Sequence, residues 1–112
     1  MTKDSFDSAH QKAETAASIA EIGAESGLGP TDRINLDLEF VAERDDADPE
    51  ALIKALGSFG YLASETEDGA GVQASVLDIP FTFETIWTHE ERTTTIARAR
   101  GFAPDGWGFW EP

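Results

Sequence analysis

The chain has 112 residues, 40% of them hydrophobic, and a formal net charge of −14 from 22 acidic and 8 basic residues. This length suits one domain with at most an appendage, and the apolar fraction excludes global disorder. So acidic a chain is repelled by nucleic acid and by anionic membrane surfaces, and is steered instead toward basic partners. There is no cysteine, so disulfides and thiol catalysis are excluded. No basic leader or apolar run of membrane-spanning length is visible, so a cytoplasmic location is expected.

Residues 5–25 are rich in Ala, Glu, Gln and Lys, which favours helix. Ala9, Ala13, Ala16 and Ala20, with Ile19 nearby, predict its packed stripe. Gly27, Gly29 and Pro30 break it, and divide the chain into an N-terminal helical segment, residues 1–29, and a main domain, residues 30–112.

In residues 33–43, Ile34, Leu36, Leu38 and Phe40 alternate with Asn35, Asp37 and Glu39. Period two predicts a strand buried on one face, with carboxylates on the other. Asp48-Pro49-Glu50 supplies an N-cap, a proline at the first helical position and an acid in the first turn. Leu52, Ile53, Leu56 and Phe59 form the apolar stripe of that helix, and Gly60 ends it. A second strand follows from Tyr61 to about Thr66, then a hairpin turn at Asp68-Gly69-Ala70-Gly71. Val72, Ala74 and Val76 begin a third strand; Leu77, Ile79 and Phe81 continue it after a phase shift.

A third helix starts at about Glu84, with Ile86, Trp87, Thr94, Ile96 and Ala97 inward, and Gly101 stops it. Asp105-Gly106 reads as a turn. After it a short aromatic strand directs Trp107 and Phe109 to one side and Gly108 and Trp110 to the other. The order, a helix and then β-α-β-β-α-β, predicts an α+β, ferredoxin-like split βαβ sandwich. Two helices cover one face of an antiparallel four-stranded sheet, and the N-terminal helix is additional. The other face carries Asp37 and Glu39.

Motifs of catalysis and metal binding are incomplete. His89-Glu90-Glu91-Arg92-Thr93 begins like a zinc-protease helix, but Thr93 stands where the second histidine is needed. Asp45, Asp46 and Asp48 lack the glycine and spacing of a calcium loop. Gly57-Ser58-Phe59-Gly60 is not a nucleophile elbow, and Gly69-Ala70-Gly71 is not a phosphate loop. His10 and His89 show no orienting partner in the sequence. No catalytic, cofactor or metal residues are assigned, and a non-enzyme is expected.

Phe102-Ala103-Pro104-Asp105-Gly106-Trp107-Gly108 resembles the C-terminal signature of the RraB family, regulators of ribonuclease E activity. The helix between Asp48-Pro49 and Gly60-Tyr61, and the pair Ile96-Ala97, are similar to that family as well. Pro104 replaces its tyrosine, and the chain resembles a distant, tail-less member. The resemblance implies an acidic, ferredoxin-like, non-catalytic protein that binds ribonuclease E and restrains RNA turnover. It also implies that Asp105, Gly106, Trp107 and Gly108 are structural. The expected contact surface is Asp37 and Glu39 on the sheet, Asp45 and Asp46 in a loop, and Trp110 as apolar anchor. The expected partner is ribonuclease E or another basic RNA-binding protein, with no direct nucleic acid, no membrane and no cofactor. Pairing of outer strands with a second copy is a further expectation. The competing expectations are an enzyme or small-molecule binder on the open sheet face, and an acidic inhibitor of some other basic protein.

Overall fold

The computed structural model describes residues 8–67, 69 and 71–110. The elements run α1 (Ser8–Ser26), β1 (Arg33–Ala42), α2 (Pro49–Ser58), β2 (Leu62–Glu65), β3 (Gly71–Pro80), α3 (Phe83–Arg98) and β4 (Phe102–Trp110). The four strands form one sheet in the order β2-β3-β1-β4, with every neighbouring pair antiparallel. This is the expected α+β ferredoxin-like arrangement with an additional N-terminal helix.

The core lies between the sheet and helices α2 and α3. Ile34, Leu36, Leu38 and Phe40 of β1 are all buried, as the alternation predicts. Leu52 and Leu56 of α2, Ile86, Ile96 and Ala97 of α3, and Phe102 of β4 close over them. Asp48 caps α2 by accepting from the backbone N–H groups of Glu50 (3.0 Å) and Ala51 (3.4 Å). Thr82 caps α3 by accepting from the N–H of Thr85 at 3.1 Å. Such a cap contributes about 1 kcal/mol.

Four details of the sequence reading are corrected. Phe59 is 59% exposed, because α2 closes at Ser58 and Phe59 becomes the C-cap, outside the helical stripe. Ala9, Ala13, Ala16 and Ala20 all face outward on α1. The packed side of that helix is instead Gln11 and Thr15 with Ile19 and Ile22, because it meets a polar patch on α3. Leu77 is 48% exposed, because the phase shift in β3 is a bulge. Leu77 and Asp78 together oppose Asn35, so the inward positions pass from Val76 to Ile79. Asp78 takes the left-handed conformation there, φ 55°, and its N–H donates to Asn35 Oδ1 at 2.8 Å. Finally, Asp105-Gly106 is not a turn but lies inside β4. Leu38 pairs with Trp107 and Phe40 with Pro104, so two residues bulge opposite Glu39, and Gly106 supplies a φ of 107°.

Of the turn expected at Asp68-Gly69-Ala70-Gly71, Asp68 and Ala70 lie outside the described residues, as do residues 5–7 of the first helix. The hairpin itself is present: β2 pairs with β3 from Leu62↔Ser75 to Glu65↔Val72. Gly71 meets the backbone of β1 closely, and a Cβ there would sit 2.1 Å from the Phe40 carbonyl oxygen. Gly108 has open space at the corresponding point. Gly71→Ala is therefore expected to cost about 3 kcal/mol or more in urea unfolding, and Gly108→Ala less than about 1 kcal/mol.

Candidate functional site

The sheet face turned away from α2 and α3 is the first candidate. Period two on β1 brings Asp37 and Glu39 to it. Asp37 is half-buried because its neighbours grip it from both sides. Ser75 Oγ on β3 donates to Asp37 Oδ1 at 2.6 Å, and Trp110 Nε1 on β4 donates to Oδ2 at 3.0 Å. Both carboxylate oxygens are thus occupied, and the Trp110 ring is fixed at one end while remaining 49% exposed. Leu62, across from Ser75 on β2, is also exposed on this face.

Glu39 lies at the other end of the face, beside the β4 bulge. With Glu67 and Asp105 it borders a shallow hollow of about 300 Å³, whose remaining wall includes Val41 and Thr66. Sequence reasoning treats Asp105 as purely structural, yet the bulge brings its carboxylate into this acidic group. Asp45 and Asp46 do not join Asp37. They follow the C-terminal end of β1, and the five steps along the strand from Asp37 to Ala42 alone span about 17 Å. Arg44 Nε also pairs with Asp46 Oδ1 at 3.2 Å. The expected contact surface is therefore two patches, one on the sheet and one at the end of β1. Within Asp105-Gly106-Trp107-Gly108, Gly106 shapes the bulge, Trp107 is half-buried on the helix side, and Gly108 pairs with Asp37.

A second, larger concavity lies on the helix side of the sheet, between α1 and β4. It measures about 800 Å³ and is floored by Trp107 and Phe109. Nothing in the sequence pattern announces it, because it depends on how α1 docks. The anchor is Glu90 of α3, only 6% exposed. One of its oxygens accepts from Thr15 Oγ1, and the other from Gln11 Nε2 at 3.0 Å. Gln11 also reaches Thr94 Oγ1 at 3.2 Å. Burial raises the Glu90 pKa above the ordinary carboxylate value; the bonds from Thr15 and Gln11 oppose that, and the nearby charge of Glu14 adds to it. In the sequence Glu90 is one of two adjacent acids after His89, and nothing there marks it as buried. The one legible signal is the facing pair of hydrogen-bonding side chains, Gln11 and Thr15, at i, i+4 on α1.

His89 does have a partner. Its Nδ1 and the Tyr61 hydroxyl lie 2.8 Å apart in a hydrogen bond, with the rings edge to face. Arg92 Nη1 donates to the same hydroxyl at 3.5 Å. Burial, and secondarily Arg92, lowers the His89 pKa and favours the neutral ring. Burial raises the Tyr61 pKa against the influence of Arg92. The cluster closes the seam between the end of α2 and α3, and neither His89 nor Asp78 lines the groove or the hollow. Among the described residues, no group of three or more His, Cys, Asp or Glu side chains could hold a metal ion. No described helix is long and apolar enough to cross a membrane.

No protein-family model matches the chain, and no curated protein matches it.

The raised Glu90 pKa has a consequence for stability. A carboxyl shifted upward in the folded state disfavours folding once it ionises, and the penalty shrinks as pH falls toward its ordinary value and vanishes below it. Glu90→Gln is expected to change the melting temperature more favourably near neutral pH than at about pH 4.5, the ordinary value for Glu. Any hydrogen bond the amide cannot reproduce adds an offset independent of pH, so the pH-dependent difference is the quantity to measure, by thermal melts of both proteins. Equal offsets at both pH values would mean that Glu90 titrates normally.

Proposed function

We propose that this chain is a non-enzymatic, acidic protein-binding regulator that docks on a basic partner through its open sheet face. The observation that carries the reading is the clamped pair of Asp37 and Trp110. An indole held by its N–H to a carboxylate offers a rigid apolar plate beside a fixed negative charge. Aromatic anchors of this kind dominate protein interfaces, and preorganisation lowers the entropy cost of docking. Glu39, Glu67 and Asp105 extend the negative field along the same face, and the charge of −14 adds long-range steering. Asp45 and Asp46 form a second patch beyond the end of β1, suited to a partner that wraps past the edge of the face.

The resemblance at Asp105-Gly106-Trp107-Gly108 selects the partner class: a ribonuclease E-type RNA-turnover enzyme, or another basic RNA-binding protein, whose RNA-contacting surface the acidic face would cover. Competition with RNA follows without any catalytic step. In this reading the protein works in the cytoplasm, where such partners are.

The test is capture of partners from host lysate at low and moderate salt, with identification by mass spectrometry. Recovery of a ribonuclease E-type protein that is lost as salt rises is the expected result. Recovery of a different basic protein would keep the docking mechanism and replace the target. Retention of nothing at low salt would sink the reading. With a partner in hand, Trp110→Ala is expected to weaken binding by roughly 10-fold or more. Replacing Glu39, Asp45 and Asp46 together by lysine should slow association at low salt while leaving the melting temperature close to that of the parent. Unchanged affinity in that triple variant would refute electrostatic docking.

A further inference from the structure

We propose that the groove between α1 and β4 is a binding site for a small organic cation carrying an aromatic or apolar body. It lies on the opposite side of the sheet from the docking face, and is independent of that reading. Its volume of about 800 Å³ falls in the range that encloses a drug-sized molecule. Gly106 and Gly108 of β4 and Thr15 and Ser18 of α1 complete its border.

Three features select the ligand's chemistry. The floor is aromatic: Trp107 and Phe109 are both half-buried, and Phe109 is steadied by a tilted contact with Phe81, ring centroids 5.6 Å apart. Aromatic faces attract cations, most strongly that of tryptophan. The charged walls are acidic: Glu14 and Glu90 both line the groove, and among the described residues no lysine or arginine does. Among the described residues, the other titratable lining group is His10, whose Nε2 lies 3.4 Å from Glu14 Oε2. Finally, Glu14 and Glu90 border the same groove, and the charge of Glu14 disfavours ionisation of Glu90, so a positive group in the groove is drawn by both. An anion meets two carboxylates and is repelled, and a neutral molecule gains burial alone.

The full chain can be titrated with benzyltrimethylammonium, with benzyl alcohol as the uncharged counterpart and benzoate as the anionic one. The readout is the indole N–H resonance of Trp107, assigned through Trp107→Phe. The ammonium is expected to shift that resonance saturably and to bind at least about 10-fold more tightly than benzyl alcohol, with benzoate unbound. The Glu14 side chain is mostly exposed, 68%, so Glu14→Gln should leave the fold intact. That substitution is expected to weaken the ammonium by about 3-fold or more, and Glu14→Lys to abolish its binding. Equal affinity for benzyl alcohol, equal affinity for benzoate, or no saturation up to about 10 mM ammonium would each overturn the proposal. So would saturable binding that Glu14→Lys leaves unchanged, because the cation would then sit elsewhere.

Discussion

Strand β1 is the constraint from which the remaining structure follows. It occupies an inner position of the sheet, pairs on both sides, and has Ile34, Leu36, Leu38 and Phe40 of its inner face shut from water. Its neighbours adapt to it. β3 bulges opposite Asn35 and β4 opposite Glu39, while β1 contributes a single residue at each place. Each bulge moves its own strand by one residue, so inward positions that are out of step in the sequence return to the core. Asn35 is buried for this reason: its side chain accepts the N–H that the β3 bulge would otherwise leave without a strand partner. Bulges also increase local twist and re-aim side chains, and both here redirect acidic residues, Asp78 and Asp105.

The same two bulges mark the limit of what could be read in the sequence. The start of helix α2, with its Asp48 cap and Pro49, and the alternation in β1 are local signals and were legible, whereas the end of α2 was not, since Phe59 falls outside its stripe. The change of phase after Val76 was legible as well, though not its cause. Asp105-Gly106 was misleading, since a glycine of positive φ serves a turn and a bulge equally well. Only pairing with Leu38 and Phe40 distinguishes them. The alanines of α1 misled for a different reason. Their spacing suits a weak apolar stripe, but the surface they would meet is Glu90 and Thr94, and hydrogen-bonding residues win that contact. The expected sheet-face residues Asp37, Glu39 and Trp110 share one face. The groove above Trp107 was not legible, because it depends on the docking of a helix distant in sequence.

The sheet thus separates two environments with different physical characters. One face is flat and open, and its tryptophan is held to a carboxylate already satisfied by neighbouring side chains. The other carries the core and, beyond the core's edge, a cleft roofed by a helix whose hold on the domain centres on one buried acid. Removing that acid from water is costly, and hydrogen bonds from Thr15 and Gln11 offset part of the cost. The remainder weakens the attachment of α1.

The β3 bulge also bears on how the chain can change in length. Ordinarily, removing one residue from a strand turns every later side chain onto the wrong face. Between Val76 and Ile79 the rule inverts. Two residues stand where regular pairing needs one, so loss of either Leu77 or Asp78 would restore an even ladder and keep Ile79 inward. The site is thus one of the few points within the sheet where a codon-length deletion is absorbed without inverting the strand, and single-residue gaps among divergent descendants of this sequence should collect there.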